Sequence, residues 1–98
     1  MLSENPLNLL RGGKLGKEGV LQALRLAIIG ELDAINLYMQ LAEAVEDEGV
    51  RKVLADIADD EKTHVGELLA LLKELDPEQA KRLASGAEEV EELTGIKS

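Results

Sequence analysis

The chain has 98 residues, 45% of them hydrophobic, with no cysteine and a single aromatic side chain, Tyr38. This length suits one small domain whose core must be built from Leu, Ile, Val and Ala. The missing cysteines exclude disulfides, thiolate metal sites and a cysteine nucleophile, and they suit a reducing cytoplasm. A net charge of −9 argues against a nucleic-acid partner, since a phosphate backbone demands a basic surface. A negative field raises the local concentration of cations, and it also serves solubility.

Residues 1–26 hold four basic and two acidic side chains, and residues 27–98 hold seven and eighteen. Residues 1–16 contain Pro6, Gly12, Gly13 and Gly16 and are expected to form a flexible arm, with one short turn around Leu7–Leu10. This segment lacks the apolar h-region of a secretory signal. No apolar run reaches the roughly twenty residues of a membrane span, so no membrane partner is expected.

From Lys17 to Glu46 the spacing predicts a helix. Val20, Leu24, Ala27, Ile28, Ala34, Ile35, Tyr38, Leu41, Ala42 and Val45 recur in steps of three and four. Asp47-Glu48-Gly49 is expected to end it, with Gly49 in the left-handed cap conformation. A second helix is expected over Val50–Leu75, with a seam of Val50, Val53 or Leu54, Ile57, Leu68, Leu71, Leu72 and Leu75. Asp76 and Pro77 then start a third helix as N-cap and first position. It is expected to cover Glu78–Leu83 or slightly more, weakened from Gly86 onward. The fold class is therefore all-α, a two-helix antiparallel hairpin plus a short C-terminal helix. Three segments result: a flexible arm at 1–16, a helical domain at 17–85, and an acidic linker and tail at 86–98. A hairpin this small buries little surface alone, so self-association is expected.

Three polar residues interrupt the apolar seams. Glu31 lies within LRLAIIGELDAINLYMQLA, and Glu61 and His64 form Glu-x-x-His between Ile57 and Leu68. His64 is the single histidine. Glu31 lies seventeen residues before Glu48, while Glu61 and His64 lie thirteen and sixteen after it. At about 1.5 Å per residue, antiparallel helices bring the three within roughly one turn of the same level. A buried carboxylate is costly unless it is paired or binds a metal. Carboxylate oxygen and imidazole nitrogen suit iron. Di-iron carboxylate bundles use one Glu from each of two helices and Glu-x-x-His from each of the other two. This chain carries half that set, so two copies would be needed to complete it. Tyr38, two turns from Glu31 on the same face, is a candidate hydrogen-bond donor near the site, or else a core residue. Asp33, Asp59, Asp60 and Glu67 are expected mainly on solvated faces, as are Glu43, Glu46, Asp47 and Glu48.

Glu31, Tyr38, Glu61 and His64, on two helices of this length, resemble the encapsulated ferritin family of the ferritin-like superfamily over roughly residues 17–85. The resemblance implies that two subunits form a ferritin-like four-helix bundle with a di-iron ferroxidase centre between them, and that dimers assemble into a ring-shaped decamer. It implies Glu31, Glu61 and His64 as iron ligands, Glu61 bridging, with Tyr38 in the outer sphere. Asp33 falls where the family often has a Glu implicated in metal uptake. Leu37 falls where some members have Trp. Leu93-Thr94-Gly95-Ile96-Lys97-Ser98 resembles the short tail by which cargo proteins dock inside encapsulin shells. The expected activity is oxidation of Fe(II) to Fe(III) within such a nanocompartment in the cytoplasm. Two alternatives stand beside it. One is a rubrerythrin-like di-iron peroxidase, although no cysteines exist here to build a rubredoxin-type electron donor. The other is a metal-free helical oligomerisation or adaptor module.

Overall fold

The computed structural model describes residues 13–97, and they form three helices. Helix α1 spans Lys17–Ala44, α2 spans Glu48–Leu75 and α3 spans Pro77–Thr94. No strand occurs among the described residues. The all-α expectation holds. The expected arm lies largely outside the described residues, as does the turn around Leu7–Leu10, and residues 14–16 have no regular structure.

Helices α1 and α2 have 28 residues each, about 42 Å of helix at 1.5 Å per residue. They pack against each other along their length, whereas α3 touches α2 and makes no packing contact with α1. The hairpin turn differs from the expected glycine cap. Helix α1 stops at Ala44, and Val45 is extended. Asp47 then caps α2, its Oδ1 accepting the Val50 N–H at 2.9 Å, while the Arg51 side chain donates to the Val45 carbonyl. Gly49 lies inside the first turn of α2, and the described glycine with positive φ is Gly95, at 77°. With Asp47 starting the next helix, Val45 and Asp47 are both extended and no left-handed glycine is needed.

Asp76 caps α3 as expected, its Oδ1 accepting the Gln79 N–H at 3.1 Å, with Pro77 in the first turn. The end of α3 is corrected from near Leu83 to Thr94. A helical glycine costs about 1 kcal/mol, too little for Gly86 to stop a run of good helix formers such as Ala87, Glu88 and Glu89. The stop comes at Gly95, whose left-handed backbone lets its N–H donate to Glu91 O at 2.7 Å. Glu88, Glu89, Glu91 and Glu92 are therefore helical, and so is Leu93.

The core of a single chain is very small. Leu21, Ala58 and Leu72 are the buried apolar residues among those described. Leu54, Ile57 and Leu68 of the expected α2 seam are half-buried, but Val50, Val53, Leu71 and Leu75 are exposed. Periodicity identifies an apolar stripe, but two helices have only one mutual contact surface, so the edge facing away from α1 stays uncovered. No described helix is long and apolar enough to cross a membrane.

Candidate metal centre

The three polar residues of the seams come together. Glu31 projects from the middle of α1 and Glu61 and His64 from the middle of α2, where the antiparallel register brings them level. His64 Nδ1 lies 3.4 Å from Glu31 Oε2 and 3.6 Å from Glu61 Oε2. One ligand atom from each residue falls within a 4.8 Å sphere of mutual distances. These His64 contacts exceed the roughly 2.7–2.9 Å of a charge-assisted hydrogen bond. Glu31 Oε2 is fully screened from solvent and has no hydrogen-bond partner.

That orphaned oxygen tests whether a metal fits. A carboxylate oxygen without a partner in a shielded position is costly, and a cation among the three groups satisfies it. Two hard oxygens and one imidazole nitrogen suit iron or a similar divalent ion. His64 Nδ1 faces the carboxylates, so a metal taken there leaves the ring proton on Nε2. The cluster is screened unevenly. The carboxylate side chains are 27% and 19% exposed for Glu31 and Glu61, while His64 is 49% exposed. The centre thus opens on the His64 side.

The other candidates fall elsewhere. Tyr38 is half-buried on α1 and makes no hydrogen bond to the cluster among the described residues. Asp33 lines an open depression of about 530 Å³ with Gly30, Ala34, Asn36, Leu37 and Gln40. Asp59 pairs with Lys62 at 3.6 Å on an exposed face. Asp60 and Glu67 are exposed, and no described acid beyond Glu31 and Glu61 joins the His64 cluster. One contact escaped the sequence reading. Arg25 Nη2 donates to Asp76 Oδ2 at 2.8 Å across 51 positions of the chain. Its signal is a lone Arg in the apolar run VLQALRLAII.

A helical hairpin with a carboxylate–histidine cluster at mid-height defines the class, a ferritin-like half-bundle. Residues 22–96 match the Rubrerythrin family, and the chain belongs to this ferritin-like family. It is 58% identical over all 98 residues to a ferritin-like–encapsulin shell fusion protein of Pyrococcus furiosus, and spans only 28% of that protein's length. It is 33% identical over 94 residues to the encapsulin nanocompartment cargo protein EncC of Myxococcus xanthus, covering 96% of this chain and 72% of that one. Among solved structures, the crystal structure of an encapsulated ferritin domain from Pyrococcus furiosus superposes with a TM-score of 0.88. It is 57% identical, and both chains are covered in full. The likeness to encapsulated ferritins read from the sequence is therefore shown at the level of family and fold.

Proposed function

We propose that the protein is a ferroxidase, oxidising Fe(II) to Fe(III) at a two-iron site shared between two copies of the chain. The observation that carries this reading is the convergence of Glu31, Glu61 and His64 around an unpartnered carboxylate oxygen, Glu31 Oε2. One chain offers three ligands, half the set of a di-iron bundle. The open side of the cluster bears the exposed part of the α2 stripe: Val53 and Leu71 are 60% and 52% exposed, and they share helical phase with His64. A second hairpin seated there would cover the stripe and supply the missing ligands.

Iron is the substrate. The overall reaction, 4 Fe(II) + O2 + 4 H+ to 4 Fe(III) + 2 H2O, takes four electrons for each O2, so a two-iron site would fill twice for each O2 consumed. Glu31 and Glu61 supply negative charge that favours the higher oxidation state. Glu61 is assigned as the ligand that would bridge the two irons, the role that the resemblance to encapsulated ferritins implies for it. His64 adds a neutral nitrogen donor, and Tyr38 is assigned an outer-sphere role. Asp33 and its open depression are assigned to metal uptake. Dimers would assemble further, with a decameric ring as the proposed end state.

The names of the relatives support a place inside an encapsulin nanocompartment. Leu93 and Ile96 are 85% and 63% exposed at the chain's C-terminal side. We assign residues 93–98 as the segment that joins the domain to the shell, by docking in a groove of the shell protein. The fusion relative favours a second form of the same role, because its match covers these residues within a chain that is named for both parts. In that form the segment would be a covalent link between a helical domain and a shell domain.

The family match also favours a second activity, a rubrerythrin-like peroxidase. The two differ in stoichiometry. A ferroxidase consumes Fe(II) in many-fold excess over sites and releases Fe(III), whereas a peroxidase retains its iron and consumes peroxide. The test is aerobic Fe(II) oxidation by the wild type and by the double variant Glu61→Ala, His64→Ala. The wild type is expected to turn over excess Fe(II), and the variant to fall to the uncatalysed rate. Normal oxidation by the variant refutes the site. Turnover of peroxide but not of Fe(II) replaces ferroxidase by peroxidase.

A further inference from the structure

Helices α2 and α3 meet at one residue. Asp76 closes α2, its backbone N–H donating to Leu72 O at 2.8 Å, and it opens α3, its carbonyl accepting the Ala80 N–H at 3.1 Å. Its φ of −129° and ψ of 84° belong to neither helix. Pro77 keeps it out of the helical basin, because the proline ring clashes with an α conformation at the preceding residue. The sequence thus guarantees a corner without fixing its direction, since the basin open to such a residue spans tens of degrees. Packing adds little, because α3 has no buried residue and rests only against α2.

One side chain reaches the corner from α1. Arg25 Nη2 donates to Asp76 Oδ2 at 2.8 Å, and the Asp76 side chain is only 16% exposed. The other oxygen of the same carboxylate accepts the Gln79 N–H in the first turn of α3. A planar carboxylate held at both oxygens ties the direction of α3 to the surface of α1, and a swing about the corner breaks one bond or the other. We propose that the Arg25–Asp76 pair is a latch that sets the direction in which α3 leaves the hairpin. Arg25 is then a positioning residue for the C-terminal helix and for the segment it carries. The lever is long. Eighteen residues at 1.5 Å each give about 27 Å, so a swing of roughly 20° moves the far end of α3 by about 9 Å.

The chain has no cysteine, so spin labels attach only where Cys is introduced. Gln22→Cys on α1 and Glu92→Cys on α3 are both at exposed positions. Labelled chain is co-assembled with a large excess of unlabelled chain, so that pulsed dipolar spectroscopy reads the distance within one chain. Two variants break the latch differently. Arg25→Met keeps the apolar stem without the donors, and Asp76→Ser keeps an N-cap oxygen without the charge. One narrow distance is expected in the parent. In each variant the distance is expected to shift or spread by several ångströms, approaching about 9 Å for a 20° swing, with helix content by circular dichroism unchanged. The double variant should go no further than either single one. An unchanged narrow distance in Arg25→Met overturns the latch. So does a spread in Asp76→Ser alone, which assigns the direction to the cap. If Arg25→Met does not assemble, Arg25→Gln is measured in its place with the same two readings.

Discussion

Replacing Glu31 by Gln should make the metal-free protein more stable and the metal-loaded protein less so. Glu31 Oε2 is shielded without a hydrogen-bond partner, and its carboxylate lies within 4.8 Å of the ligand atom of Glu61. At that separation two like charges repel by about 1 kcal/mol in water-like surroundings and about 3 kcal/mol at an effective dielectric of 20. Partial exposure of both side chains places the result toward the lower figure. Gln has the same shape and removes one charge, and its amide group can donate to Glu61. A gain of about 1 kcal/mol corresponds to roughly 4–8 °C in Tm for a domain of this size. With metal the sign reverses. A ligand present at about 100 times its Kd stabilises the native state by about 2.7 kcal/mol. A variant stripped of one of three donors loses most of that. The assay is thermal unfolding followed by circular dichroism at one fixed protein concentration and one fixed pH. It is run once with chelator and once with Fe(II) under anaerobic conditions. The two melting curves should cross over between conditions. If Glu31→Gln is the less stable protein with chelator as well, the carboxylate serves the fold rather than a metal, and the reasoning is refuted.

The half-site predicts metal-linked assembly, because metal that binds only the assembled state favours it by mass action. Native mass spectrometry should show Fe(II) moving small species toward larger rings, and stable monomers carrying two irons each would contradict the shared site. Deleting Leu93–Ser98 should leave iron oxidation by the isolated protein intact and abolish loading into a co-expressed encapsulin shell. Each apolar anchor is worth on the order of 1.5–3 kcal/mol if fully buried, and a ring presenting many copies multiplies the effect. Shells that fill normally with the truncated chain would show that these residues are not the address.

The convergence of Glu31, Glu61 and His64 was legible in the sequence because these residues break a pattern. Glu31, Glu61 and His64 stand where an apolar seam expects Leu or Ile, and a fixed rise per residue converts their distances from one turn into equal height. Asp76-Pro77 was legible for a similar reason, since capping and the proline ring act within four residues. Local rules were weaker where two effects compete. Gly49 suited a cap, but Asp47 started the next helix first, and Gly86 weakened α3 without ending it. Which edge of the α2 stripe is covered depends on the rotation of one helix against the other, so Ala58 is buried while Val53 is not. No local periodicity contains that rotation. The Arg25–Asp76 contact has the same origin: 51 positions of chain separate its partners, and only the closed hairpin brings the guanidinium to the corner where α3 begins.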